Sequence, residues 1–389
     1  VALRGFLTPG RADGLPLGLI VALGIAHAAF AGERFTITLH AVALHASPLA
    51  IGTLLGLVMI VPMLAAVRIG RWSDRLGYQP FAIGGFLLLL ASGLVVAAWP
   101  AMPSLYAASV LSGTGYMSAH VAVNLAIGRA SAPGRRTDAF SAMAIAFSLS
   151  GLAGPMLAGV TIDGAGHRWA YLALSVFALA SIFLLRRAAV RYPVAPSGNG
   201  AQARPRVADL LAHGPLRAVF LVSGLLSMGW DLFTFLAPLQ GVRAGLSATR
   251  TGLVMGAFSV GTFAIRLLLP RISRGAGEWA TMGGALLVTA LGYLAFPLLH
   301  DFGPLMLAAF LLGMSLGCGQ PVSMALVHSH SPEDRAGEAV GVRSTITSAS
   351  QTFLPMLFGA LGSAVGMAAV FWAVSALLAA GGAFAMRRR

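Results

Sequence analysis

Charge is scarce in this chain and disulfide chemistry is missing from it. Only 10% of its 389 residues are charged, while 57% are hydrophobic and the mean hydropathy is +0.83, which excludes an ordinary soluble domain. A single cysteine, Cys318, excludes any intramolecular disulfide. The 26 basic residues are all arginine, set against 12 acidic ones. No P-loop, zinc-ligand spacing or catalytic triad is present, so no enzyme and no cofactor is expected. The longest polar stretch is too short for the nucleotide-binding segment of a transport ATPase. A non-transporting sensor would need an extramembrane output domain, which this sequence lacks. A soft-metal carrier is disfavoured as well. The 15 methionines are scattered without a tight M-x-x-x-M cluster, as gap fillers between helices would be.

What the chain has in quantity is long apolar runs. Twelve can be counted, from about 15–44 to 366–386, each long enough to cross roughly 30 Å of hydrocarbon. Runs of this length exclude a strand barrel and predict an all-α integral membrane protein with twelve transmembrane helices. The first run is too long for a signal-peptide core and is expected to stay in the protein. The net charge of +14 reports orientation rather than a nucleic-acid partner. With the N-terminus assigned inside, 22 of the arginines fall at or near cytoplasmic ends, whereas the outer loops hold only Arg168, Arg243 and Arg250. A multi-pass protein of the cell inner membrane, with both termini cytoplasmic, is the expected arrangement.

The chain also repeats. Shifted by 200 residues, Gly113 falls on Gly313, Pro155-Met156-Leu157 on Pro355-Met356-Leu357 and Gly159 on Gly359. Nearer the start of each half, Ser47 and Gly52 match Ser247 and Gly252. One offset along the whole length implies two pseudo-symmetric six-helix halves, the architecture of a membrane transporter. The expected division is 1–187 and 214–389, joined by a Pro/Gly/Ser-rich linker over 188–213.

Between the second and third runs stands Gly70-Arg71-Trp72-Ser73-Asp74-Arg75-Leu76-Gly77, which resembles the G-x-x-x-D-R-x-G signature of the major facilitator superfamily. The likeness covers essentially the whole chain. It departs at Tyr78 and Gln79, where the family usually has basic residues, and the second-half copy has no aspartate. The resemblance implies a cytoplasmic gate in which Asp74 contacts the start of helix 11, near Glu338 and Arg343. Gly154-Pro155-Met156-Leu157-Ala158-Gly159 on span 5 resembles the helix-packing motif G-P-x-x-G-G of the antiporter branch. The arginine of the branch's span 4 motif is replaced by Ser109. The implied partners are a small-molecule substrate, protons and the lipid bilayer, and the implied state is a monomer.

Charges at bilayer depth cost roughly 2.5–3.5 kcal/mol each, which makes them candidates for function. Span 1 carries Glu33 and Arg34, on neighbouring stripes: Arg34 aligns with His27, and Glu33 with His40. Span 7 carries Asp231, three residues from the position equivalent to Arg34, so an Arg34–Asp231 pair, or Arg34 shared between Asp231 and Glu33, is expected. The bland alternative is an ion pair that only registers helices. Span 4 shows Tyr116, His120 and Asn124 at i, i+4, i+8, and His120 corresponds to Gln320 on span 10. Each of these polar residues has a packing role as its alternative. Two readings follow: a proton-coupled exporter of drugs or metabolites using Glu33 and Asp231, or an organic-anion carrier binding carboxylates at Arg34.

Reporter fusions after Arg204 and at the C-terminus are expected to read cytoplasmic, and an external signal from either would overturn the topology. Arg34→Ala is expected to abolish transport or its pH dependence. In Arg34→Ala/Asp231→Asn, recovery of folding and expression without transport is expected of a structural pair, and coupled loss of pH dependence of a proton site.

Overall fold

A computed structural model describes residues 16–131, 136–188, 214–331 and 336–388. The expected linker, apart from Ala188, lies outside the described residues, as do the side chains of Asp74 and Glu338 and the surroundings of Gly70. The described residues are almost all helical: α1 (Leu17–Ala43), α2 (Pro48–Leu76), α3 (Gln79–Ala98), α4 (Met102–Ala130), α5 (Arg136–Ala165) and α6 (His167–Arg187) form the first repeat. The second comprises α7 (Gly214–Arg243), α8 (Ala248–Ala276), α9 (Glu278–Ala295), α10 (Phe302–Gly317), α11 (Gly319–His330), α12 (Ala336–Val365) and α13 (Met367–Met386). Helices α10 and α11 are two pieces of the tenth span, which the sequence reads as one run. The interruption falls at Cys318, between two glycines and just before Pro321, whose ring removes the bond to the Gly317 carbonyl.

Among the described residues, ten helical spans are long and apolar enough to cross a membrane by composition. Helices α4 and α12 fall short only in hydropathy, because Ser, Thr, His, Asn and Gln interrupt them. At 29 and 30 residues they reach about 43–45 Å at 1.5 Å per residue, more than a bilayer core requires. Large apolar side chains such as Leu64, Val176, Leu291 and Val365 lie exposed on the helix surfaces, where lipid rather than water is the solvent.

The chain folds as two compact units. Unit 1 contains Val1–His45, Leu57–Asn199 and Ser247–Gly252, and unit 2 contains Ala46–Gly56, Gly200–Leu246 and Leu253–Arg389. Each unit therefore takes the first turns of one helix from the other repeat. Inside unit 1, the Asp163 carboxylate accepts the Ala248 and Thr249 N–H groups at 2.9 and 2.8 Å, capping α8 from α5. Inside unit 2, Ser363 accepts the Leu49 N–H at 3.2 Å, the same contact displaced by 200 residues.

The repeat is written into the backbone at the level of single contacts. A Cβ on Gly113 would run into the Val58 carbonyl, and one on Gly313 into the Phe258 carbonyl, again 200 residues on. With no hydrophobic drive between helices in lipid, such close backbone approach is what lets them associate. Left-handed turns recur in the same way: Gly77 and Gly277 have φ of +85° and +81°, and Gly166 and Gly366 have +88° and +87°. The third pair is uneven, because Gly245 (φ +68°) is matched by His45 (φ +56°). A side chain in this region costs roughly 1–2 kcal/mol, although histidine tolerates it better than most residues.

His45→Gly is accordingly expected to hold or raise the melting temperature of detergent-purified protein, and Gly245→Val to lower it. A Gly245→Val variant as stable as the parent would show that these turns are not strained.

Candidate functional site

Helix α1 carries most of the polar residues and sorts them onto two faces. Because 7 residues bring an α-helix back to within about 20° of the same direction, His27 and Arg34 share one face while Glu33 and His40 share another. The first face meets α4 and α5. His27 Nδ1 lies 2.9 Å from the Ser150 hydroxyl, and its ring sits 4.8 Å from Phe147 and 5.5 Å from Tyr116. Tyr116 stacks on Phe30 at 4.3 Å, and the Arg34 guanidinium stands 5.8 Å from the Phe30 ring centre. His120 completes the group, 5.6 Å from Tyr116 and 5.7 Å from Phe147.

His27, Arg34 and His120 are all half-buried, so this face of unit 1 is open rather than sealed. It combines the half-buried Phe147 ring, two imidazoles and one fixed positive charge, backed by the buried Phe30–Tyr116 stack. Stacking suits a planar ring, and the guanidinium fork suits an oxyanion. Asn124, one turn beyond His120, holds its Oδ1 buried and without a hydrogen-bond partner among the described residues.

The second face of α1 is sealed. Glu33 is only 1% exposed, and its Oε2 lies 2.6 Å from the Ser92 hydroxyl on α3. The carboxylate thus turns to Ser92 of α3. Oε1 has no hydrogen-bond partner among the described residues. His40 stacks on His167 of α6 at 4.8 Å and approaches Tyr171 at 5.9 Å.

In unit 2, Asp231 on α7 is 3% exposed, and its Oδ2 accepts the Ser350 hydroxyl of α12 at 2.6 Å. One turn earlier, Ser227 and Thr347 join the same two helices at 3.4 Å. Gln320 is exposed, two residues past the break at Cys318. Arg343 is buried on α12, with its Nε 3.3 Å from the Met324 sulfur. Arg75 is exposed at the end of α2, and Gly77 makes the left-handed turn that follows. On α5, Gly154 lies against the Ala28 carbonyl and Gly159 against the Ala248 carbonyl, with Pro155 inside the helix between them.

Several participants escape sequence reasoning: Phe30, Phe147 and Ser150 on the open face, Ser92, Tyr171 and Ser175 around Glu33, and Ser350 beside Asp231. Phenylalanine and serine are common in apolar helices and carry no signal alone. The 200-residue offset holds one clue, since Ser150 and Ser350 are equivalent and each meets a polar residue of the first helix of its repeat.

Comparison with known proteins gives the same fold and a family. The chain spans 96% of itself and 99% of the nucleoside transporter NupG at a TM-score of 0.80 and 12% identity. It likewise matches a bacterial homologue of the lysosomal transporter Spinster at 0.75, with 13% identity and 97% of each chain covered. In sequence it is 26% identical over 359 residues to the tetracycline resistance protein, class G, of Vibrio anguillarum, covering 84% of either protein. The family model of the Major Facilitator Superfamily matches residues 19–303 and 245–389. Twelve membrane helices in two repeats, polar residues gathered inside each unit and a match along nearly the whole length lead to one conclusion: the chain belongs to the Major Facilitator Superfamily, as a multi-pass secondary transporter and not an enzyme.

Proposed function

We propose that this protein exports small organic solutes, drugs or metabolites, from the cytoplasm in exchange for protons. The observation that carries the reading is the open face of unit 1. There the half-buried Phe147 offers stacking surface, backed by the buried Phe30–Tyr116 stack, His27 and His120 offer hydrogen bonds, and Arg34 offers a charge. A planar, oxygen-rich solute fits that chemistry. The buried carboxylates Glu33 and Asp231 supply the protonatable groups that coupling needs. The sequence likeness to a tetracycline resistance protein supports the same direction of transport. The arginine bias supports an inner-membrane location with both termini inside. The two repeats, 1–187 and 214–389, are proposed as the bodies that move during alternating access. Asp74, Arg75 and Gly77, with Glu338 and Arg343, are proposed as the cytoplasmic gate.

Arg34 also supports a second reading, a carrier of organic carboxylates that needs no proton. Everted membrane vesicles separate the two. Energised vesicles that hold an acidic interior should lose part of their pH gradient when tetracycline is added, and Glu33→Gln and Asp231→Asn should lose that response. Tyr116→Leu should weaken the apparent affinity about 2- to 10-fold, the value of an aromatic pair of 0.5–1.5 kcal/mol. Carboxylate counterflow that survives Glu33→Gln and Asp231→Asn but not Arg34→Ala would favour the anion carrier instead.

A further inference from the structure

The sealed face of α1 contains more unsatisfied polarity than packing requires. Four polar atoms of side chains no more than 6% exposed have no hydrogen-bond partner among the described residues: Glu33 Oε1, His40 Nδ1, the Tyr171 hydroxyl and the Ser175 hydroxyl. Each such atom costs roughly 1–3 kcal/mol if it stays unmet, and all four belong to one locus between α1, α3 and α6. The locus has a centre. A Cβ built on Gly93 would touch the Ser175 hydroxyl and stand 3.2 Å from Glu33 Oε1 and 3.0 Å from the Tyr171 carbonyl. The backbone at Gly93 is therefore pressed against a carboxylate, a hydroxyl and a carbonyl, with no room for a side chain among them.

The second repeat provides an internal control, because the same architecture is built there without this polarity. Phe233 replaces Glu33, Phe371 replaces Tyr171, and Tyr293 fills the place of Gly93 with its hydroxyl on the Gly229 carbonyl. Ser375, equivalent to Ser175, donates to the Ala290 carbonyl at 2.7 Å, and Gln240, equivalent to His40, donates to the Leu299 carbonyl at 2.8 Å. Packing these helices requires neither a carboxylate at the Glu33 position nor a glycine at the Gly93 position.

Ser92 adds a mechanism. Its hydroxyl lies 2.6 Å from Glu33 Oε2 and 2.7 Å from the Leu89 carbonyl, but it owns one hydrogen for the two acceptors. When Glu33 is ionised, that hydrogen goes to Oε2. When Oε2 takes up a proton, the new carboxyl O–H donates to Ser92, and Ser92 donates to the Leu89 carbonyl. Both bonds are then made.

We propose that Glu33, Ser92, Tyr171 and Ser175, packed against Gly93, form a proton-binding site inside unit 1. This deepens the proton-coupled reading and rests on it. One proton is taken up on Oε2 and one is given back. His40 lies two turns, about 10 Å, along α1 from Glu33, toward the outer end of the same interface. His167 is half-buried at the first residue of α6, at the end that the arginine distribution assigns to the outside. That is the side from which a proton enters during export. Among the described residues, the ionisable groups facing Glu33 are Tyr171 on α6 and, farther along, His40 and His167. Helix α3 contributes none, and Arg34 and His27 occupy the other face of α1.

Infrared difference spectra of the full chain in lipid, recorded across a pH titration without substrate, test the site. A carboxyl carbonyl band is expected to appear on acidification, to vanish in Glu33→Gln, to shift in Ser92→Ala and Gly93→Ala, and to survive in Asp231→Asn. A band unchanged in Glu33→Gln overturns the proposal. So does a band that sodium chloride abolishes at fixed pH, which would mark a sodium site. If Glu33→Gln does not fold, unshifted bands in both Ser92→Ala and Gly93→Ala overturn it equally. Intact bands without tetracycline-driven proton movement would leave the site standing and remove proton-coupled export, whereas the reverse pattern would remove the site alone.

Discussion

Hydrocarbon offers no hydrogen bonds, and the rest of this structure depends on that constraint. Every backbone N–H and C=O at membrane depth must find its partner inside the chain, which leaves helices as the only form available to apolar runs of this length. The same constraint drives polar side chains inward. Thr36 and Thr38 on α1 return their hydroxyls to the carbonyls of Gly32 and Arg34 one turn back. Residues whose reach exceeds their own helix, such as His27, Glu33 and Asp231, must meet a neighbour, and Ser150, Ser92 and Ser350 are the neighbours they meet. Serine recurs because it is small enough to sit at a close helix crossing and still present one donor and one acceptor.

Close crossing is the second consequence. Helices in lipid gain nothing from hiding apolar surface, so they associate by contact between backbones, and glycine sets the distance. Gly85 and Gly115 face each other's carbonyls between α3 and α4, and Gly154 brings α5 onto α1 at Ala28 and Gly32. The α1–α5 crossing carries Phe147 and Ser150 to His27, and the α1–α3 approach carries Ser92 to Glu33. Packing residues thus position the polar ones.

Duplication has given the two repeats the same scaffold and different interiors. The scaffold persists in the Gly113/Gly313 crossing, the left-handed turns and the helix caps at Asp163 and Ser363. The interiors diverge at Glu33/Phe233, Gly93/Tyr293 and Tyr171/Phe371. Unit 2 is aromatic where unit 1 is polar: Phe233 stacks on Phe258 at 4.1 Å, and Phe296 and Phe371 lie 5.5 Å apart. Ionisable groups are thereby placed differently in the two units, at α1 against α3 and α6 in one and at α7 against α12 in the other.

Composition alone determined the membrane class, and the 200-residue offset determined the duplication, because both are properties summed over many residues and survive ignorance of any single contact. Periodicity determined that His27 shares a face with Arg34 and Glu33 with His40, since the turn of a helix is fixed by its geometry. Which neighbour each face meets was decided only by the tertiary structure. Nothing in the sequence says that the Glu33 face turns to Ser92 and Tyr171 while the Arg34 face turns to Tyr116 and Phe147. Those pairings join residues more than 50 positions apart and follow from how helices cross, a matter of glycine placement and backbone approach that no local pattern encodes. The break at Cys318 belongs to the same category. Two glycines and a proline permit it, but the proline inside α5 leaves that helix continuous, so the surroundings decide the outcome.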